Sequence, residues 1–419
     1  MDMTLLLIFP FVLLLLLIAL GPLFFPDWWN KHYPKVSLTL GGIVVLFYIF
    51  NLHSTDIVLH TANEYISFIV LIGALYIVSG GIHISTKDLT NPLENVLVLF
   101  IGAFLANVLG TTGASMLLIR PWIKMNKARI QAYHIVFFIF IVSNVGGSLT
   151  PIGDPPLFLG YLKGIPFLWI TAKAFPIWCT AIGMLLLIFY LLDSKNYHAQ
   201  SKTVVKQIEK TDVWKIEGLI NFLFLGIILL AVFIESPRFL REGVIIAAAM
   251  TSYFTTKKTI HTINHFTFHP IQEVAILFAG IFAAMIPALE MLRTQAQTMS
   301  NLSPSFFYWS AGSLSSVLDN APTYLSFFSI AEGKYNPTAI VPISELLLYP
   351  TFASYIVSIS IGAVFFGANT YIGNGPNFMV KSIADHYKIP VPSFLRYITH
   401  YTIPFLLPVL VLIWLLFFY

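Results

Sequence analysis

Two short polar stretches interrupt the chain at matching places in its two halves. They read SLTPIGDPP at 148–156 and ANTYIGNGP at 368–376. The aligned pairs are Thr150 with Thr370, Gly153 with Gly373, and Asp154 with Asn374. Pro and Gly break helices and leave backbone N–H and C=O groups without helical partners. Because such groups cannot face lipid, both stretches predict a protein-lined cavity able to bind an ion.

A second pair of motifs precedes these stretches. NVLGTTGASML at 107–117 aligns with SVLDNAPTYLS at 316–326. Each half therefore carries a polar-tipped segment followed by a segment interrupted by Gly and Pro. Matched interruptions of this kind in two halves are typical of the binding site of a secondary transporter.

The carboxylates of Asp154 and Asp319 are the expected centre of this site, because acids within apolar surroundings are costly and usually functional. Burial disfavours the charged form of a carboxylate, so each acid could exchange a proton for a cation. The predicted binding residues are Thr111, Thr112, Thr150, Gly153, Asp154, Asp319, Asn320, Thr370, Gly373 and Asn374, and the predicted cavity-lining residues are Asn144, Asn369 and Asn377. Hard oxygen ligands suit Na⁺ or Li⁺ alongside H⁺, and we expect no transition-metal site and no other cofactor.

Both acids also have a structural interpretation. Asp is a favoured N-cap residue, so Asp154 could serve only to cap a half-helix that starts at Pro155. Asp319 precedes a Pro-containing turn and could have a similar role. Capping and ion binding can coexist.

The composition of the chain is that of a polytopic α-helical membrane protein. Of its 419 residues 57% are hydrophobic and 10% are charged, and the mean hydropathy is +0.82. Soluble domains carry about 25% charged residues. The sequence has no GxSxG, HExxH or CxxC motif, so we do not expect an enzyme. The lipid bilayer is the expected partner, and nucleic acid is not.

About ten or eleven transmembrane helices are predicted. The predicted full spans are 3–25, 36–52, 62–82, 132–162, 168–192, 216–235, 242–256, 270–291, 344–384 and 396–418. The positive-inside rule requires the basic clusters to be cytoplasmic; these lie at 120–129, 193–215 and 257–258. All three are cytoplasmic only if two further segments are re-entrant hairpins. Those segments are 93–121 and 303–331. The spans 132–162 and 344–384 are too long for one straight helix and predict broken helices.

This pattern divides the chain into two inverted repeats. The predicted parts are N-terminal scaffold helices at 1–60, a first repeat at 61–192, a cytoplasmic linker at 193–215 and a second repeat at 216–419. The first repeat holds the hairpin 93–121 and the broken helix 132–162. The second repeat holds the hairpin 303–331 and the broken helix 344–384.

These motifs resemble the ion transporter superfamily over roughly 60–385. That group includes NhaD-type sodium/proton antiporters, citrate transporters, arsenite permeases and divalent-anion/sodium symporters. The resemblance implies a scaffold domain, a mobile transport domain, alternating access and a homodimer. It places the ion-binding hairpin tips at 110–112 and 319–321. The symporters have Ser-Asn-Thr at both tips, whereas this chain has Gly-Thr-Thr and Asp-Asn-Ala.

Sodium/proton antiport is the expected function. Two acids would repel an organic anion unless bound cations neutralised them, and no Arg or Lys lies near either break in the sequence. The alternative is cation-coupled transport of citrate or another organic anion. An arsenite permease and a cation channel are weaker candidates. The expected location is a bacterial cytoplasmic membrane, as a multi-pass protein.

Overall fold

A computed structural model describes residues 3–86, 90–199, 215–234, 236–237 and 239–419. Most of the predicted linker 193–215 therefore lies outside the described residues. The helices in chain order are α1 (Met3–Phe24), α2 (Pro26–Phe50), α3 (Thr55–Gly80), α4 (Pro92–Asn126), α5 (Ala132–Ile141), α6 (Pro155–Leu162), α7 (Phe167–His198), α8 (Ile220–Ala231), α9 (Leu240–Thr255), α10 (Lys258–Ile263), α11 (His269–Gln295), α12 (Pro304–Ser315), α13 (Asn320–Tyr335), α14 (Ile343–Leu346), α15 (Pro350–Phe366), α16 (Gly375–His386), α17 (Phe394–Tyr397), a π-helix (Ile398–Leu406) and α18 (Leu407–Phe417).

The predicted class, an all-α polytopic membrane protein, is confirmed. Eight helical segments in the described ranges are long and apolar enough to cross a membrane. A bilayer core of about 30 Å needs about 20 helical residues, and α7 has 32 and α11 has 27. Large apolar side chains such as Leu230 and Phe254 lie exposed on the outer surface, as expected for contact with lipid.

One of these eight segments, α4, folds back on itself at Gly110. This residue has φ 74° and ψ 157°, a backbone conformation that glycine adopts without steric cost. The side-chain amides of Asn95 and Asn126 are 2.7 Å apart, although 31 residues separate them in the sequence. In a straight helix they would lie about 46 Å apart. Residues 92–109 and 111–126 therefore form a helical hairpin over the predicted segment 93–121.

A second hairpin consists of α12 and α13, with its tip at residues 316–319. The rings of Phe307 and Phe327 meet edge to face with centroids 6.5 Å apart, so the two helices run alongside each other. Ser303 caps α12 by accepting a hydrogen bond from the N–H of Phe306 at 3.1 Å. The hairpin extends four residues beyond the predicted end at 331.

Both predicted broken helices are interrupted. The first is interrupted between α5 and α6, where Val145–Ser148 forms a 3₁₀ turn. The second pauses between α15 and α16, where Gly367–Asn369 forms a 3₁₀ turn. Asp154 and Asn374 then begin the second half-helices with nearly the same backbone angles, φ −142° and ψ 145° against φ −151° and ψ 140°.

The boundaries of several spans differ from the prediction. The span predicted from 344 divides into α14 and α15, because Pro350 starts a new helix and Tyr349 before it is extended. The span predicted at 36–52 begins at Pro26, also a proline at a helix start. At 12 residues, α8 is shorter than the predicted span 216–235.

The N-terminal helices pack against the second half of the chain. The hydroxyl of Ser37 in α2 donates to the carbonyl of Ile276 in α11 at 3.0 Å. Close by, a Cβ on Gly41 would lie 3.0 Å from the Cα of Gly280, so the two backbones nearly touch. Small residues at such crossings let membrane helices approach closely.

A two-stranded antiparallel sheet, which the sequence did not predict, joins the segments after α3 and before α8. Its strands are β1 (His83–Ser85) and β2 (Lys215–Glu217), with His83 opposite Glu217. The side chain of Asn264 donates to the carbonyls of Gly80 and Ile82 at 2.9 and 2.8 Å. These contacts bring together the loops after α3, before α8 and after α10, which the basic clusters predict to be cytoplasmic.

Candidate functional site

The two hairpin tips and the two helix breaks meet at the carboxylate of Asp154, which is 1% exposed. Its Oδ1 accepts hydrogen bonds from the Thr111 hydroxyl at 2.7 Å and the Asn374 amide at 3.2 Å. Its Oδ2 accepts a hydrogen bond from the Asn320 amide at 2.9 Å. Four predicted site residues thus form one cluster, which we call the Asp154 cluster.

The two acids occupy different environments. Asp154 stands at the N-cap position of α6, but its side chain makes no capping hydrogen bond. Asp319 does cap its helix, because its carboxylate accepts the N–H of Ala321 at 3.0 Å. Asp319 is only half-buried, and it is close enough to Asp154 for the two carboxylates to interact electrostatically. The structural interpretation therefore describes Asp319 better than Asp154.

Three asparagines tie the two breaks to each other. The Asn144 amide donates to Oδ1 of Asn377 at 2.7 Å, and the Asn374 amide donates to Oδ1 of Asn144 at 3.1 Å. The Asn377 amide donates in turn to the carbonyls of Gly367 and Thr370 at 2.8 and 2.9 Å. These buried amides supply partners for backbone carbonyls that the broken helix leaves without helical partners.

Thr150 and Thr370 fasten each break to the hairpin of its own half. The Thr150 hydroxyl donates to the carbonyl of Asn107 at 2.6 Å, and the Thr370 hydroxyl donates to the carbonyl of Ser316 at 2.6 Å. Their equivalent roles match their aligned positions. Neither hydroxyl donates to the carboxylate of Asp154. Asn369 donates to the Ser316 hydroxyl at 2.8 Å, and its own buried carbonyl oxygen has no hydrogen-bond partner among the residues that the structure describes.

Glycines allow the breaks to approach the hairpin tips. A Cβ on Gly147 would lie 2.5 Å from the Thr111 methyl carbon, and one on Gly367 would lie 2.5 Å from Oδ1 of Asn320. Gly153 packs against the carbonyl of Gly147, and Gly373 packs in the same way against that of Gly367. The two halves therefore repeat each other in packing as well as in sequence.

We expect Gly367→Ala to destabilise the folded protein by about 1–3 kcal/mol, because its methyl group would overpack the Asn320 and Asn144 side chains. Gly375→Ala is the matched control, since a Cβ there meets nothing within 4 Å. The measurement is thermal unfolding of both variants in detergent. Equal melting temperatures for the two variants would contradict the close packing at Gly367.

A small cavity of about 30 Å³ lies beside Asp154, between α3 and the first hairpin tip. Leu75, Tyr76, Thr112 and Gly153 are among the residues that line it. The half-buried Thr112 contributes to this wall rather than to the hydrogen bonds on the carboxylate. The cavity can hold a water molecule or a small cation, but pockets for organic ligands are about 300 Å³ or larger.

The electrostatics of the Asp154 cluster favour a small cation. Within the ranges that the structure describes, no Lys, Arg or His forms an ion pair with Asp154. Its three hydrogen-bond donors fill three of the roughly four acceptor positions of a carboxylate. A cation or a proton at the remaining position would neutralise a charge that is otherwise buried without a counter-charge.

A second buried network, which the sequence did not predict, lies at the open end of the first hairpin. Asp193, which is 0% exposed, pairs with both terminal nitrogens of Arg129, one at 2.9 Å. It also accepts hydrogen bonds from Tyr133 at 2.8 Å and from Asn95 at 2.9 Å, and His134 contacts it at 3.1 Å. This network fastens α4, α5 and α7 together. The one sign of this network in the sequence is Asp193 itself, a single acid at the end of the apolar span 168–192.

Comparison with known proteins assigns a family. No curated protein matches the sequence significantly. A family described as "Putative citrate transport" matches residues 1–418, which is nearly the whole chain. The chain is therefore a multi-pass integral membrane protein that belongs to this transporter family.

Proposed function

We propose that this protein is a secondary transporter that couples the uptake of citrate, or a related carboxylate anion, to a cation bound at the Asp154 cluster. The proposal puts citrate first, where the sequence favoured sodium/proton antiport, because the family description fits citrate at least as well. The coupling ion is Na⁺, with Li⁺ or H⁺ as competitors.

The main support for this proposal is that the Asp154 carboxylate is buried without a counter-charge in the described part of the chain. It lies where both hairpin tips meet both helix breaks, and it has hydrogen-bond donors but no ion-pair partner among the described side chains. A cation bound there would cancel the negative charge that would otherwise repel a carboxylate anion. Cation binding would thus prepare the site for the anion, which is the requirement for coupled transport.

Sodium/proton antiport without an organic substrate is the second candidate. It is favoured by the 30 Å³ cavity beside Asp154, which fits a small ion better than citrate. In this mechanism a proton and Na⁺ would compete directly for the same carboxylate.

One pair of measurements separates the two candidates. Purified protein in liposomes is assayed for labelled citrate uptake with an inward Na⁺ gradient, and with K⁺ in place of Na⁺. Parallel liposomes with a pH-sensitive dye receive Na⁺ or Li⁺ without citrate. Citrate accumulation that requires Na⁺ supports the first proposal. A cation-driven pH change without citrate uptake supports antiport, and no response in either assay would exclude both.

We also propose that the two hairpins are re-entrant from opposite sides of a bacterial cytoplasmic membrane, which makes the repeats inverted. Each hairpin has its two ends together, as the Asn95–Asn126 contact shows for the first and the contact of Lys334 with the Met299 carbonyl at 2.9 Å shows for the second. The loop after α4 carries Lys127 and Arg129, as expected for a cytoplasmic loop. The resemblance further predicts a homodimer, which the mass of the purified protein in detergent would test.

Cysteine labelling tests the orientation. In a Cys179→Ser background, which removes the single cysteine, we expect Lys127→Cys to react with a membrane-impermeant maleimide only from the cytoplasmic side. Ile340→Cys, in the exposed loop after α13, should react only from the opposite side. Labelling of both positions from one side would refute inverted hairpins.

A further inference from the structure

A second cavity lies on the contact between α3 and residues 111–126 of the first hairpin, separate from the Asp154 cavity. Tyr76 lines both cavities. The second cavity is also lined by Ser79, Arg120 and Asn264, and its volume is about 20 Å³. Asn264 places it at the end of the molecule where the strand pair and the predicted cytoplasmic loops gather.

Arg120 is the notable residue in this second cavity. The residue is half-buried and, among the residues the structure describes, its guanidinium group has neither a hydrogen bond nor an ion pair. The titratable groups that interact with it are the phenols of Tyr76 and Tyr387. A guanidinium carries five N–H donors, and a buried charge without a partner is costly. An anion bound here would accept hydrogen bonds from these donors and neutralise the charge of the guanidinium.

The neighbouring polar groups do not compete for that role. The Tyr76 hydroxyl donates to the carbonyl of Thr267 at 2.9 Å, and the Ser79 hydroxyl donates to the carbonyl of Tyr76 at 2.9 Å. The Asn264 amide is already used by two backbone carbonyls. Since these groups have partners within the protein, the donors of Arg120 remain available to a ligand.

We propose that Arg120 binds one carboxylate group of the transported anion, at a subsite separate from the cation at the Asp154 cluster. The cavity at Arg120, of about 20 Å³, would hold that group only, and the rest of the anion would lie outside it. The proposal rests on the proposed function for the identity of the anion. Arg120 follows Thr111 by nine residues, so their Cα atoms are about 14 Å apart along the helix. The guanidinium lines the second cavity together with Ser79, and Tyr76 separates this cavity from the one beside Asp154.

The two subsites have complementary charges. A cation at Asp154 raises the electrostatic potential in the adjoining cavity, which favours an anion at Arg120. An anion at Arg120 favours the cation by the same free energy, because coupling between two binding sites is reciprocal. Arg120 thus supplies a positive charge for anion binding, which the sequences of the hairpin tips and helix breaks lack.

Arg120→Gln tests the subsite, with Lys127→Gln as the control because it removes one positive charge from the exposed loop after the same hairpin. We expect Arg120→Gln to raise the KM for citrate at least about tenfold with a smaller change in kcat, since hydrogen bonds between charged groups are roughly twice as strong as neutral ones. Arg120→Lys, which keeps the charge but loses the paired donors, should show an intermediate KM. An unchanged KM in Arg120→Gln would overturn the proposal.

A binding measurement separates this proposal from the proposed function. Citrate, succinate and acetate are titrated into purified protein at fixed Na⁺, and the melting temperature is followed. One outcome is that citrate is not transported, yet a carboxylate stabilises the wild type and Lys127→Gln but does not stabilise Arg120→Gln. In that case the subsite is supported and the transport proposal fails. If Arg120→Gln does not fold, Arg120→Lys supplies the comparison, and undiminished stabilisation in it contradicts paired recognition. Equal stabilisation of all folded variants would refute the subsite.

Discussion

Asp154→Asn is expected to abolish cation-coupled transport. Two unit charges about 4 Å apart interact by about 4 kcal/mol at an effective dielectric constant of 20, so the loss of the carboxylate should weaken cation binding by at least about 100-fold. Asn has nearly the same shape as Asp, and its Oδ1 can still accept the bonds from Thr111 and Asn374. Its amide nitrogen would face the donor of Asn320, which costs about 1–3 kcal/mol of stability.

The measurement is Na⁺-dependent citrate uptake and Na⁺-driven pH change in liposomes, with thermal unfolding to confirm the fold. In the wild type, acidification should raise the KM for Na⁺, because a proton occupies the same carboxylate. The variant should lose that dependence. Asp56→Asn, at an exposed position in α3, is the control and should behave as wild type. Full coupling in a folded Asp154→Asn protein would refute the assignment of the cation site.

Asp319→Asn provides a second comparison, and the structure predicts a milder effect. The Asp319 carboxylate caps α13 through the N–H of Ala321, and Asn caps helices about as well as Asp. The cap should therefore survive the substitution. A loss as complete as in Asp154→Asn would show that both carboxylates hold the cation.

Asp193→Asn is expected to cause the largest loss of stability, about 3–5 kcal/mol. The substitution removes the counter-charge of Arg129, whose guanidinium is buried at 5% exposure, and breaking a buried ion pair carries a cost of this size. The lost pair also holds α7 against the open end of the first hairpin. We therefore expect the melting temperature in detergent to fall strongly.

The control is the exposed pair between Lys381 and Asp385, whose charged atoms are 2.7 Å apart. Asp385→Asn should cost less than about 1 kcal/mol. A double variant, Arg129→Met with Asp193→Asn, should be more stable than Asp193→Asn alone, because it leaves no unpaired guanidinium and the introduced Asn side chain can still accept the hydrogen bond from Tyr133. Similar losses for Asp193→Asn and Asp385→Asn would contradict the buried network.

The amino-acid sequence by itself determined the membrane class and the two breaks, which follow from local chemistry. The positions of the basic residues predict the hairpin over 93–121, and the family resemblance predicts its tip. Long apolar runs require a bilayer, Pro and Gly stop helices, and glycine tolerates the positive φ at the hairpin tip. The similarity of 148–156 to 368–376 also predicted the same backbone turn in both halves, and their half-helices do begin with nearly the same angles.

Tertiary structure alone decided which acid stands at the centre of the candidate site. The sequence treated Asp154 and Asp319 alike, but only Asp154 receives donors from partners 43, 166 and 220 residues away. Equally, the sequence did not indicate the Arg129–Asp193 pair, or that Arg120 lacks an ion-pair partner among the described residues. The physical reason is that these pairings depend on how separate helices pack in space, and the distance between two residues along the chain carries no information about that packing.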